Sequence, residues 1–105
     1  MQNGEFEKLL IEAIDESFSS LGESPKQAIL FHLENTFKIK KQEIPSKTDS
    51  FDHAIKKLFG VGADFLEALI VKKLCEKAGS LFNGLPPKEA SFPETVAAIK
   101  RILEK

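Results

Sequence analysis

The stretch FDHAIKKLFGVGADFLEALIVKKLCEKA, residues 51–78, decides the fold. Two apolar patterns of helical period flank a Gly60-Val61-Gly62 triplet. Phe51, Ala54, Ile55, Leu58 and Phe59 mark one helical face. Phe65, Leu66, Leu69, Ile70, Leu74 and Ala78 mark the next. A glycine pair ahead of a helix can cradle a phosphate, or it can turn a corner between two helices. Phosphate loops normally follow a strand, and here the preceding residues are helical in period. No third glycine stands at the fingerprint spacing, and no Gly-Lys-Ser/Thr follows. Asp64 in the first helical turn would repel an anion. The triplet therefore reads as a structural corner: Gly60 closes one helix in a left-handed conformation, Val61 packs after the cap, and Gly62 permits re-entry.

The same corner invites comparison with a DNA-reading helix-turn-helix. Its second helix opens with Ala63, Asp64, Phe65 and Glu67, which are poor groups for base edges or phosphates. Lys72, Lys73 and Lys77 lie at the far end, where they complement the helix dipole.

Outward from the corner the pattern stays helical. A first helix over about Glu5–Ser20 carries Phe6, Leu9, Leu10, Ala13, Ile14, Phe18 and Leu21 on one stripe, with Gly22 as its cap. In the second, Ser24 is the expected N-cap, Pro25 the first helical residue and Gln27 the partner in a capping box. Its run AILFHLENTF leaves little polar surface, so it is expected to be the most buried helix. Lys38 to Asp49 reads as a polar connector anchored by Ile39 and Ile44, with room for a short extended piece. Asp49 or Ser50 is the expected cap of the third helix. The fourth is expected over Ala63–Ala78, ended by Gly79. The stretch SLFNGLPPKEA, residues 80–90, reads as a loop. A last helix opens on SFPE, where Ser91 and Glu94 form a capping box, and presents Val96, Ile99, Ile102 and Leu103.

The expectation is an all-α, compact bundle of about five helices. Residues 1–80 form a four-helix core domain. Residues 81–105 add a loop and a C-terminal helix that docks on the core or mediates association. A chain of 105 residues suits one domain with one core.

Composition narrows the function classes. Net charge is −1, so no overall field recruits nucleic acid or an anionic membrane. Charge is unevenly placed: residues 1–23 carry six acids against Lys8 alone, and residues 24–78 carry ten lysines against seven acids. Nine Phe stand with no Trp or Tyr. Phe has no polar handle and serves packing, and any of the nine that a small core does not hold would form an apolar patch for a homodimer or another partner. A single cysteine, Cys75, permits no internal disulfide, and no zinc-ligand spacing occurs. No apolar run reaches membrane-spanning length, and the N-terminus lacks a signal-peptide pattern. A cytoplasmic location is expected.

No constellation of residues signals chemistry. His32 has Ala28 and Thr36 one turn away, so it reads as a partly buried structural histidine. His53 reads as exposed. Cys75 reads as a half-buried apolar group whose neighbours Lys72 and Lys73 would lower its pKa if it were exposed. Glu12, Asp15 and Glu16 form an acidic face, a candidate partner contact, that the chain's own lysines could also complement. Lys38, Lys40, Lys41 and Lys47 form the best basic patch, a candidate nucleic-acid contact. Glu43 and Asp49 interrupt it, and it has no aromatic platform for stacking bases. Catalytic, cofactor-binding and metal-binding residues are not expected.

Two stretches, AIDESFSSLGESPKQAILFHLENTFKIKKQEIP and FDHAIKKLFGVGADFLEALIVKKLCEK, together resemble a family of small archaeal domains called NitrOD. The shared features are the LGES.KQAI.FHLE block, the K.EIP connector and the FG.GA..LE.LI corner, across residues 9–78. The tail from Leu81 lies outside the resemblance. It implies a helical domain of archaeal origin with a signalling-output or adaptor role. It implies no enzymatic activity, cofactor or site residue. The leading expectation is a non-enzymatic protein-interaction or regulatory module. The alternatives are a nucleic-acid-binding domain using the Lys38–Lys47 connector, and a small-ligand binder or enzyme with a Phe-lined pocket.

Overall fold

The computed structural model describes residues 4–78 and 91–103. These residues form five α-helices: α1 (Glu5–Ser19), α2 (Glu23–Asn35), α3 (Thr48–Phe59), α4 (Ala63–Ala78) and α5 (Phe92–Leu103). Short 3₁₀ turns at Lys41–Ser46 and Gly60–Gly62 lead into α3 and α4. The all-α bundle expected from the periodicity is the fold. The expected helix end at Gly79 and the loop over 80–90 lie outside the described residues.

The core is built around α1, not α2. Phe6, Leu10, Ala13, Ile14, Ser17 and Phe18 of α1 are all buried. The most extensive helix pairing is α1 with α4. Ser17 is tolerated inside because its hydroxyl donates to the Ala13 carbonyl, 2.8 Å away. The expectation that α2 is the most buried helix is corrected: only Ile29 and Leu33 are buried on it. Residues 28–31 are apolar, but consecutive side chains on a helix point about 100° apart. With α1 as its main neighbour, α2 can bury one stripe, so Phe31 is left 60% exposed.

The start of α2 is also corrected. The helix begins at Glu23, with Gly22 as its N-cap and no side-chain capping bond. Gly22 has φ of 109°, a backbone only glycine adopts readily, and its carbonyl accepts from the Lys26 amide at 3.1 Å. This tight link leaves Ser24 and Pro25 inside the first turn. Gln27 donates to Glu23 at 3.1 Å instead of completing a box. In the connector, Ile39 and Ile44 are buried as expected. The chain between them is a 3₁₀ turn and not an extended piece. Its entry is fixed by Lys40, whose amide donates to the Glu43 carboxylate at 2.9 Å. Likewise α3 begins at Thr48 without a side-chain cap from Asp49 or Ser50.

Phe51 of α3 joins three helices. Its ring centroid lies 6.4 Å from Phe18 of α1 and 5.8 Å from Phe92 of α5. The last helix packs on α3 and α4, burying Phe92, Val96 and Ile99. Its Ser91–Glu94 capping box forms as read: the Ser91 amide donates to Glu94 at 2.9 Å, and the Glu94 amide donates to Ser91 Oγ at 3.2 Å. On α4 the buried stripe is Ala63, Leu66, Glu67, Ile70 and Leu74. Phe65, expected on that stripe, is 74% exposed. It neighbours Leu66 in sequence and so points about 100° away from the inner face.

Candidate functional site

The corner between α3 and α4 concentrates the features that packing does not explain. Gly60 has positive φ as expected, but its φ of 59° and ψ of −126° lie outside the left-handed helical region. Val61, expected to pack after the cap, is fully solvent-exposed at 101%. Phe65 lies four residues further on, and Leu58 precedes the turn with its side chain exposed. Three large apolar side chains within eight residues therefore face water at one corner. Gly62 has no positive φ, and a Cβ there would meet only Phe59 Cβ at 3.9 Å.

Behind this corner lies a carboxyl pair. Glu67 of α4 is only 6% exposed, and Asp52 of α3 lies close enough to act on its carboxyl. Asp52 Oδ2 accepts from Lys56 Nζ at 3.1 Å, one helical turn away. Asp52 Oδ1 and Glu67 Oε2 are buried without a donor from any described residue. Burial pushes the Glu67 carboxyl up to about 8. The hydrogen bond with Asp52 and the charges of Asp52 and Asp64 act in the same direction, and Lys56 opposes them. Burial and the neighbouring acids therefore favour the protonated form of Glu67. The sequence held a signal for this: Glu67 stands four residues after Ala63 and three before Ile70, on the inner stripe. Its contact with Asp52 joins two helices and has no local pattern.

The acidic face of α1 is largely engaged within the fold. Asp15 accepts from Lys41 Nζ at 2.9 Å, with Lys26 at 3.9 Å. Lys77 of α4 bonds Glu16 and lies 3.7 Å from Glu12. The candidate partner contacts Glu12, Asp15 and Glu16 thus already face the chain's own lysines. Of the candidate nucleic-acid contacts, Lys41 is tied to Asp15, and Lys47 lies 3.5 Å from Glu43. Lys38 and Lys40 are exposed, and Lys38 is the one non-glycine with positive φ among the described residues.

His32 is exposed, not partly buried, with its ring edge-on to Phe31 at 5.7 Å. His53 is exposed as expected and lines a shallow groove of about 370 Å³ with Phe37, Ile39, Asp49 and Ser50. Cys75 is half-buried, and burial pushes its thiol upward, with Glu76 adding to the shift. Lys72 and Lys73 do not depress it. Among the described residues no group of three or more His, Cys, Asp or Glu is placed to hold a metal ion. No described helix is long and apolar enough to cross a membrane. No family model matches the chain, and neither a curated protein nor a solved structure matches it.

Proposed function

We propose that the chain is a non-enzymatic protein-interaction or regulatory module whose contact surface is the Leu58–Val61–Phe65 corner. The observation that carries this reading is the exposure of Val61 in the Gly60–Gly62 turn and of Phe65 in the first turn of α4 that follows it. Four Phe of the chain, Phe6, Phe18, Phe51 and Phe92, are fully used in the core. Phe65 is free to contribute to a contact without disturbing them. A cluster of large apolar side chains on a small domain is the kind of surface that a partner protein covers. The resemblance of residues 9–78 to archaeal signalling-output domains supports the regulatory part of the reading.

The lysine connector is the weaker surface. Lys41 and Lys47 already have carboxylate partners, and a phosphate would have to compete for them.

The test is affinity capture from the native source, comparing the wild-type chain with Val61→Ser/Phe65→Ser as bait. Both positions are exposed, so the variant is expected to fold like the wild type. Partners captured by the wild type and lost by the variant support the reading. An identical set on both baits rules out this corner as the contact surface.

A further inference from the structure

The carboxyl pair behind the corner poses a charge problem with one economical solution. Asp52 Oδ1 and Glu67 Oε2 are buried and lack donors. The nearest cation, Lys56, is occupied by the other Asp52 oxygen. Two neighbouring carboxylates, Glu67 buried and Asp52 half-buried, resist being ionised together. One proton between them removes the repulsion and supplies the missing donor. The cluster then holds the Asp52 charge against that of Lys56.

The groups acting on Glu67 are Asp52 and Lys56 from α3 and Asp64 from α4 itself. The acids of α1 that face α4, Glu12 and Glu16, gather at Lys77. Lys77 is ten residues beyond Glu67, about 15 Å along the helix axis. From α5, Lys100 is drawn to Glu7 at 3.2 Å. Of the cations named, Lys56 acts on Glu67, but its hydrogen bond goes to Asp52.

We propose that Asp52 and Glu67 form a proton-dependent latch across the α3–α4 corner, in which one shared proton holds the two helices together and its loss loosens the turn that carries Val61 and leads into Phe65. The turn has little packing of its own to hold it. Gly60 holds a glycine-favoured backbone, and the exposed Val61 side chain adds no packing to the junction. The latch does not require the corner to bind anything, so it stands or falls separately from the interaction reading.

The first measurement is a carbon-13 NMR titration of the Glu67 side-chain carboxyl in the full chain. A midpoint of about 8, with the Val61–Leu66 amide signals moving at the same midpoint, supports the latch. A midpoint in the ordinary carboxylate range, or corner amides that do not follow it, overturns it. The second compares chemical unfolding of the wild type with Glu67→Gln, which keeps a donor toward Asp52. The wild-type unfolding constant should rise about tenfold per pH unit between about pH 5 and about pH 8, because unfolding releases the shared proton. The variant should lack that added slope. Equal slopes in the two proteins overturn the proposal. The titration is made on the wild type, so it decides the matter even if the variant fails to fold.

Discussion

Phe51 on α3 stacks against Phe18 on α1 with ring centroids 6.4 Å apart and an angle of 30° between the rings. Aromatic pairs at such distances add to the area they bury. Phe51 also reaches Phe92 on α5, so one side chain couples three helices. Phe51→Ala should destabilise the fold by about 3–5 kcal/mol, the usual cost of emptying a buried aromatic site. Phe51→Leu should cost clearly less, because it refills much of the volume. Urea unfolding of the two variants against wild type checks the order.

The two glycines of the corner should respond oppositely to alanine. Gly60→Ala places a side chain on a backbone with φ of 59° and should lower stability by about 1 kcal/mol or more. The cost is conformational, since nothing lies within 4 Å of the added Cβ. Gly62→Ala meets only an ordinary contact at 3.9 Å and has no positive φ. It should be neutral or stabilising by up to about 1 kcal/mol, through a less flexible unfolded chain. Thermal unfolding of both variants separates the two cases.

The start of α5 should weaken in acid. The Ser91 amide, then the Ser91 hydroxyl region, hold the Glu94 carboxyl below its usual value. A carboxylate depressed in the folded state adds stability above its unfolded pKa, and that stability is lost as pH falls through the folded value. The wild type should therefore exceed Glu94→Gln in thermal stability at pH 7. The two should converge as pH falls past the ordinary carboxylate range and through the depressed value, as the carboxylate is protonated. Ser91→Ala should remove the reciprocal half of the box at a cost of about 1 kcal/mol. Melting curves at a series of pH values read both effects.

The candidate site was only partly legible. The apolar period on either side of Gly60-Val61-Gly62 placed the corner correctly, because i, i+3 and i+4 repetition is a local property of the chain. The conformation of Val61 was not legible. A hydrophobic residue after a helix end packs inward only if the backbone there takes the left-handed helical form, and Gly60 takes another. Phe65 misled for a related reason. It sits beside Leu66 in a run where several residues are apolar, and period alone does not say which stripe faces the neighbours. Glu67 was left off the expected stripe although its spacing from Ile70 fits the inner face, and its importance rests on Asp52, fifteen residues earlier and on another helix.

The sequence by itself determined the helices, most of their limits, the anchors Ile39 and Ile44 and the capping box at Ser91 and Glu94. Each depends on residues within a turn or two of one another, so the chain carries the information locally. Tertiary structure decided that α1 lies at the centre and α2 at the edge. It also decided that the acids of α1 meet lysines as far away as Lys77, and that a buried carboxyl lies behind an exposed apolar corner. Those outcomes depend on which helix faces meet and how deeply each side chain is withdrawn from water. Burial and charge pairing are properties of the assembled interior, and no local pattern encodes them.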